Sequence, residues 1–285
     1  MGRISAEKQQ QMKQRKYPLL GETPNVGTNK RKPGNFCIRI IFGFLPLLFA
    51  AVILGFLYLL IYRGGAQPME TSVSLAMSAY EPQNELVGIA IFGGTLGIIT
   101  TWSRDVQIAV HFGRTGTYNC CLKATNALAA LSNTFGYIGF ILLTVYKIDS
   151  EDETEGLIHT IGSFMFFGLA SLYAILQCAI LFKQKQYPMC IKIVLLLVAI
   201  TETALIVAYV ILEEEGYVLE WVAVALVAFY VGLFFILFWV DPVDDELVDF
   251  FCCCCRCCCR RRKKGVSVGK NGRPVNNGRA AVELA

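Results

Sequence analysis

Residues 40–62 read IIFGFLPLLFAAVILGFLYLLIY, a stretch with no charge and no polar side chain other than two tyrosines. About 20 apolar residues in a helix cross the hydrocarbon core of a bilayer, so this segment alone decides the fold class. Five further blocks repeat the pattern: Leu86–Trp102, Ala124–Tyr146, Leu157–Phe182, Ile193–Leu212 and Tyr217–Val240. Their apolar residues come in blocks, not in the stripes of a surface helix. The second block is the weakest, glycine-rich and close to the lower length limit. Across all 285 residues 55% are hydrophobic and 17% charged, with mean hydropathy +0.51. Soluble domains run nearer 25% charged. The expectation is an all-α polytopic membrane protein: a six-helix transmembrane bundle over 36–240, between a disordered basic tail over 1–35 and a second tail over 241–285.

Charge sets the orientation. The N-terminal tail through Arg39 carries nine Lys and Arg, and the C-terminal tail another nine. Arg104, Arg114 and Lys123 follow the second block, and Lys183, Lys185 and Lys192 follow the fourth. All of these fall on one side of a six-span topology, and only Arg63 and Lys147 fall on the other. The positive-inside rule then puts both termini in the cytosol. Acidic clusters (Asp149, Glu151 to Glu153 and Glu155; Glu213 to Glu215) occupy two outer loops. The first apolar run begins too late, and is too long, for a signal-peptide core.

The topology gives the cysteines their meaning. Seven of twelve lie in one run, Cys252, Cys253, Cys254, Cys255, Cys257, Cys258 and Cys259. None lies in an outer loop, so extracellular disulfides of the tetraspanin or claudin kind are not expected. No N-x-[ST] acceptor occurs. The run begins about ten residues beyond the sixth span and is followed by Arg260, Arg261, Arg262, Lys263 and Lys264. Juxtamembrane cysteines beside cations are candidates for S-acylation. A metal site competes poorly, because contiguous cysteines lack the C-x₂-C spacing of a tetrahedral centre; an unmodified low-complexity tail is the plain alternative. The five cations are candidate phosphoinositide contacts, although ordinary positive-inside residues have the same composition.

Tyr17 and Leu20 frame Tyr-Pro-Leu-Leu, the form of an endosomal or lysosomal sorting signal, which chance also produces. The N-terminus departs from a myristoylation site in having Ala6 where Ser or Thr is required. Glu202 falls well inside the fifth span. A carboxylate at that depth is costly, faces the bundle interior and seeks a partner, for which Thr201, Thr203, Asn126 and Asn133 are the candidates. It is either a functional group or a packing device. Gly93 and Gly97, with Gly88 and Gly94, give the second span a small-residue face suited to packing within the bundle. His159, Glu220 and Trp221 fall at the outer ends of the fourth and sixth spans and are expected near one another. With two histidines in the chain, multi-histidine di-iron chemistry is excluded, and no P-loop, zincin or nucleophile-elbow motif occurs. No enzyme, cofactor, metal or nucleic-acid role is expected.

A resemblance adds to this reading. Tyr80-Glu81-Pro82-Gln83-Asn84-Glu85 precedes the glycine-rich span, which ends Thr101-Trp102-Ser103-Arg104. His159-x-x-Gly162, Phe167, Tyr173 and Gln177 mark the fourth span, Asn126, Gly136 and Gly139 the third, and Glu220-Trp221 opens the sixth. In order and spacing these resemble the DRAM/Sfk/FRAG family of six-helix membrane proteins, the damage-regulated autophagy modulators and their relatives. One departure is that Ser74 to Tyr80 lacks the aspartate of the family's first-loop Pro-x-Ile-Ser-Asp-like motif. The resemblance implies a non-enzymatic membrane regulator or scaffold acting in autophagy or in phosphoinositide-kinase recruitment. Its expected partners are membrane lipids and cytosolic proteins such as a phosphoinositide kinase complex. The alternative is an ion-conducting or lipid-handling bundle using Glu202 and the outer polar group. The tails favour the plasma membrane, with endosome or lysosome as the alternative; oligomeric state is left open.

Overall fold

The computed structural model describes residues 36–148, 152–212 and 217–241. The described elements are helices: α1 (Phe36–Tyr62), α2 (Val73–Ala79), α3 (Gln83–Thr115), α4 (Cys120–Val145), α5 (Glu153–Lys183), α6 (Met189–Leu212), α7 (Tyr217–Gly232) and α8 (Phe234–Val240). Six spans are long and apolar enough to cross a membrane, α7 and α8 together forming the sixth.

The helices run further than hydropathy alone suggests, because caps rather than polarity end them. α3 extends thirteen residues past Trp102, to Thr115, and is capped by Gly116 in the left-handed conformation at φ 67°. Arg104, which the charge count places in a loop, is instead inside this helix and buried. Ser103, Val106, Gln107, Ile108, Ala109 and Phe112 are buried with it. The polar second half of α3 is thus an amphipathic continuation of the span, packed on neighbours at the basic end of the bundle. α4 starts where Asn119 Oδ1 accepts from Leu122 N–H (2.9 Å), and α5 where Asp152 Oδ1 accepts from Thr154 N–H (2.8 Å). These bonds to Thr154 hold the exposed Asp152 carboxyl below its usual value.

The six spans form a ring in chain order. α1 packs on α3, α3 on α4, α4 on α5, α5 on α6 and α6 on α7, and α7 with α8 returns to α1. Aromatic side chains fill its interior: Phe49 meets Tyr137 and Phe56 meets Phe140 edge-on, while Tyr173 meets Tyr230 and Phe234. α4 and α5 have the most extensive interface. There Gly139 and Gly162 bring the two backbones into contact: a Cβ on Gly139 would lie 2.6 Å from Gly162 O and 2.8 Å from Phe166 N. Three glycines of α3 also pack inside the bundle, Gly93 against Val52 and Ile53 of α1, Gly94 against Ile141 and Gly97 against the Tyr137 ring, whereas Gly88, expected on the same face, is exposed and meets nothing.

The short helix α2 sits across one end of the ring, the end that the charge count expects to face outward, packed on α1, α3, α4 and α7. Its own Val73, Ser74, Ala76, Met77 and Ser78 are buried, as is Tyr80 immediately after it.

Candidate functional site

Three polar groups lie along the bundle. At the outer end Glu220 is 2% exposed, and its carboxylate receives the first amides of α2. Glu220 Oε2 accepts from Val73 N–H (2.9 Å) and Ser74 N–H (3.5 Å), and Oε1 accepts from the Ser74 hydroxyl (2.7 Å). Next to it, Trp221 Nε1 donates to Thr71 O (2.8 Å). The Glu-Trp pair therefore anchors the start of α2 on the sixth span, where helix N-terminal N–H groups need acceptors. His159 Nδ1 lies 2.8 Å from Tyr146 O, at the end of α4. Glu220 and Trp221 thus hold one segment together, while this bond of His159 runs to the third span. On the same face Ile148 N–H donates to Ser78 Oγ (3.0 Å), and Arg63 pairs with Glu85 (2.8 Å). Tyr80 donates to Glu85 (3.0 Å); burial, and then that bond, hold its phenol above the usual value.

In the middle of the membrane, Glu202 points into the bundle and is 1% exposed. Of the partners expected from sequence, Thr201 is exposed and the other three are engaged elsewhere. Thr203 donates to Ala199 O, Asn126 to Asp105 O, and Asn133 to Thr101 Oγ1 (2.7 Å) and Tyr137 OH (3.4 Å). Glu202 is instead within electrostatic reach of Tyr137, Cys178 and Tyr230, one each from α4, α5 and α7.

The third group lies at the basic end and was not singled out from sequence. Arg104 is 1% exposed and among the largest fully buried side chains. Its guanidinium donates to Gln107 Oε1, to Gln184 Oε1 (2.8 Å) and to Tyr187 OH (3.4 Å), and lies over the Tyr187 and Phe234 rings at 5.7 and 5.9 Å. Gln107 Nε2 in turn donates to Leu237 O (2.8 Å) and Asp241 O (2.7 Å). The Asp241 carboxylate accepts from Gln186 Nε2 (3.1 Å) and lies 3.2 Å from His111 Nδ1. Burial raises the Tyr187 phenol, and the Arg104 charge works against that. This clasp ties α3, the 184–188 turn and the end of α8 at the residue from which the C-terminal tail departs. The available signal was an Arg–Gln pair at i, i+3 in an otherwise apolar helical stripe; its partners lie some 80 and 130 residues away along the chain.

Among the described residues no group of three or more His, Cys, Asp or Glu could hold a metal. Cys120, Cys121, Cys178 and Cys190 are free thiols. Tyr17, Leu20, Cys252–Cys255, Cys257–Cys259 and Arg260–Lys264 lie outside the described residues.

Comparison with curated proteins and with solved structures returns no match. One family model does match, over residues 35–241, from the start of α1 to the last residue of the Arg104 clasp. Both tails, and with them the cysteine run, lie outside the matched region. Six spans, the residues that seat α2 and a match over most of the chain agree: the protein belongs to the family of the Frag1/DRAM/Sfk1/Cwh43P N-terminal domain.

Proposed function

We propose that the protein is a non-enzymatic membrane regulator whose bundle serves as a rigid mount and whose cytosolic tails do the recruiting. The single observation that carries this reading is the clasp around Asp241. It fixes the origin of the C-terminal tail to α3 and the 184–188 turn through Gln107, Gln186 and His111. A tail that only trailed from the last helix would need no such fixing. In the proposal Cys252–Cys259 are S-acylated and Arg260–Lys264 contact anionic lipid headgroups. Each buried CH₂ of an acyl chain contributes about 0.8 kcal/mol and each adjacent cation about 1 kcal/mol. A six-span protein needs no further anchor, so this energy holds the tail flat on the cytosolic leaflet. There it presents a surface to a partner such as a phosphoinositide kinase complex, at the plasma membrane.

Acyl-exchange gel shift on wild type and on a variant with all seven tail cysteines changed to serine tests the modification. A hydroxylamine-dependent shift confined to wild type is expected. Proximity labelling from the C-terminus tests the recruitment. Specific cytosolic neighbours that are lost in the serine variant and kept in Glu202→Gln support the proposal. An unchanged set of neighbours in the serine variant refutes it.

A further inference from the structure

The thiols of the bundle divide sharply by exposure. Cys178 is buried, whereas Cys120, Cys121 and Cys190 are exposed. All three exposed thiols belong to the first turn of a spanning helix: Cys120 and Cys121 open α4, and Cys190 stands second in α6. Both helices start at the basic end of the bundle, with Lys123 and Lys192 one turn or less further on. At 1.5 Å rise per residue the 26 residues of α4 measure about 39 Å and the 24 of α6 about 36 Å, against a hydrocarbon core of about 30 Å. The excess is less than two turns, so these thiols sit at the level of the lipid headgroups.

Each helix continues its thiol as a stripe of exposed apolar side chains at i+3, i+4 and i+7 spacing. On α4 Cys121 is followed by Ala124, Leu128, Leu131 and Phe135. On α6 Cys190 is followed by Ile193, Val194 and Leu197. α6 is also the span that the rest of the bundle covers least, with 17% of its most apolar window buried. Beyond Leu197 an apolar groove of about 490 Å³ opens between α5 and α6, faced by Ile175, Ile200, Val207 and Ile211. Ile200 lies ten residues, or about 15 Å, along the axis from Cys190. An acyl chain filling one leaflet spans half the core, again about 15 Å, and so reaches the near edge of that groove. Other uses of these thiols fit poorly. Neighbouring Cα atoms are about 3.8 Å apart, closer than the roughly 4.4–6.8 Å of a disulfide, so Cys120 and Cys121 do not pair without backbone movement. Among the described residues no cluster of His, Cys, Asp or Glu could hold a metal beside them.

We propose that Cys120, Cys121 and Cys190 are S-acylation sites of the bundle itself, each taking a long-chain acyl group from an acyl thioester at the cytosolic leaflet. The cysteine sulfur attacks the thioester carbonyl. A new sulfur–carbonyl bond forms, the old one breaks, and the departing thiol takes the cysteine proton, with no change of oxidation state. The attached chains lie along the exposed stripes of α4 and α6, and on α6 they supply apolar contact where the protein supplies least. The proposal does not rest on the tail reading above, since it concerns cysteines on spans and holds whether or not the tail is modified.

Acyl exchange with a mass tag, which counts modified thiols one by one, tests it on the full-length protein expressed in cultured cells. The background variant has Cys37 and all seven tail cysteines changed to serine, which leaves the three exposed thiols and the buried Cys178. Hydroxylamine-dependent tags are expected in this background. Cys190→Ser removes one step of the ladder, Cys120→Ser with Cys121→Ser removes the others, and the triple variant shows none, with Cys178 as the untagged internal control. Incorporation of an alkyne-labelled fatty acid follows the same order. The substituted side chains are exposed, so the unfolding midpoint in detergent is expected to change little, and it reports folding of each variant. No hydroxylamine-dependent tag in the background variant overturns the proposal, whatever the tail itself carries. So does a ladder that the folded triple variant retains.

Discussion

Gly139→Ala tests how closely α4 and α5 are held. The added Cβ would lie 2.6 Å from Gly162 O, 2.6 Å from Met165 Cβ and 2.8 Å from Phe166 N, where an ordinary contact begins at 3.4 Å. Two of these three atoms are backbone, so no side-chain rotation relieves the overlap. The helices must separate by about 0.8 Å along their most extensive interface. Overpacking of this kind costs about 1–3 kcal/mol, and the rigid neighbours place it near the upper end. Alanine's better helix propensity returns at most about 1 kcal/mol. The net is a loss of about 1–2 kcal/mol, or about 3–6 °C in the unfolding midpoint of a chain this size. The control is Gly168→Ala on α5, where the new Cβ meets nothing within 4 Å. Its midpoint is expected to stay or rise slightly. Differential scanning fluorimetry of both variants in one detergent decides it. Gly139→Ala as stable as wild type, or an equal loss in Gly168→Ala, would show that the close crossing is not what holds these spans.

Three further outcomes are expected. Glu220→Ala removes the acceptor for the first amides of α2 and costs about 1–3 kcal/mol; with Ser78→Cys as reporter, an impermeant maleimide added outside cells should label the double variant and not Ser78→Cys alone, and equal protection would remove Glu220 from its anchoring role. Arg104→Lys cannot reach Gln107, Gln184 and Tyr187 together with one ammonium, so its midpoint should fall nearly as far as that of Arg104→Met; full rescue by lysine would mean that charge alone matters there. Asp152, whose folded carboxyl lies below its unfolded value of about 3.9, contributes its cap above that value and loses it as pH falls through the folded one; amide exchange at Thr154 should quicken in that acid window in wild type and not in Asp152→Ala.

Spans are legible in sequence because burying a backbone in lipid demands long apolar helices, and that demand is local. Their ends are less so: Arg104 and Asp105 resemble a loop by polarity, and only tertiary packing makes them part of α3. Gly136, Gly139 and Gly162 stand out in the chain, but that two of them face each other is a property of a helix pair. Glu202 is visible as an intramembrane carboxylate, yet Thr203, Asn126 and Asn133, polar residues nearest in composition, bond elsewhere. The Arg104 clasp went unread for the same reason, since each bond of Arg104 beyond Gln107 spans 80 residues or more. Likewise α2 has too few residues for a periodicity signal, and its place depends on Glu220 and Trp221, some 150 residues downstream.

The chain-order ring has a consequence for biogenesis. Each span from α3 to α6 finds a partner among those already synthesised, so helix pairs can form as the chain leaves the ribosome. The final seam, between the first and sixth spans, waits until nearly all of the bundle exists. Both end structures depend on that seam: Glu220 and Trp221 arrive with α7, and Leu237 and Asp241 with α8. A nascent chain stopped after α6 would leave the outer helix unanchored and Arg104 without its last partners. Quality control in the membrane of synthesis would therefore see an open sheet of helices until the sixth span inserts, and a premature stop codon after residue 212 should yield a protein that is degraded rather than exported.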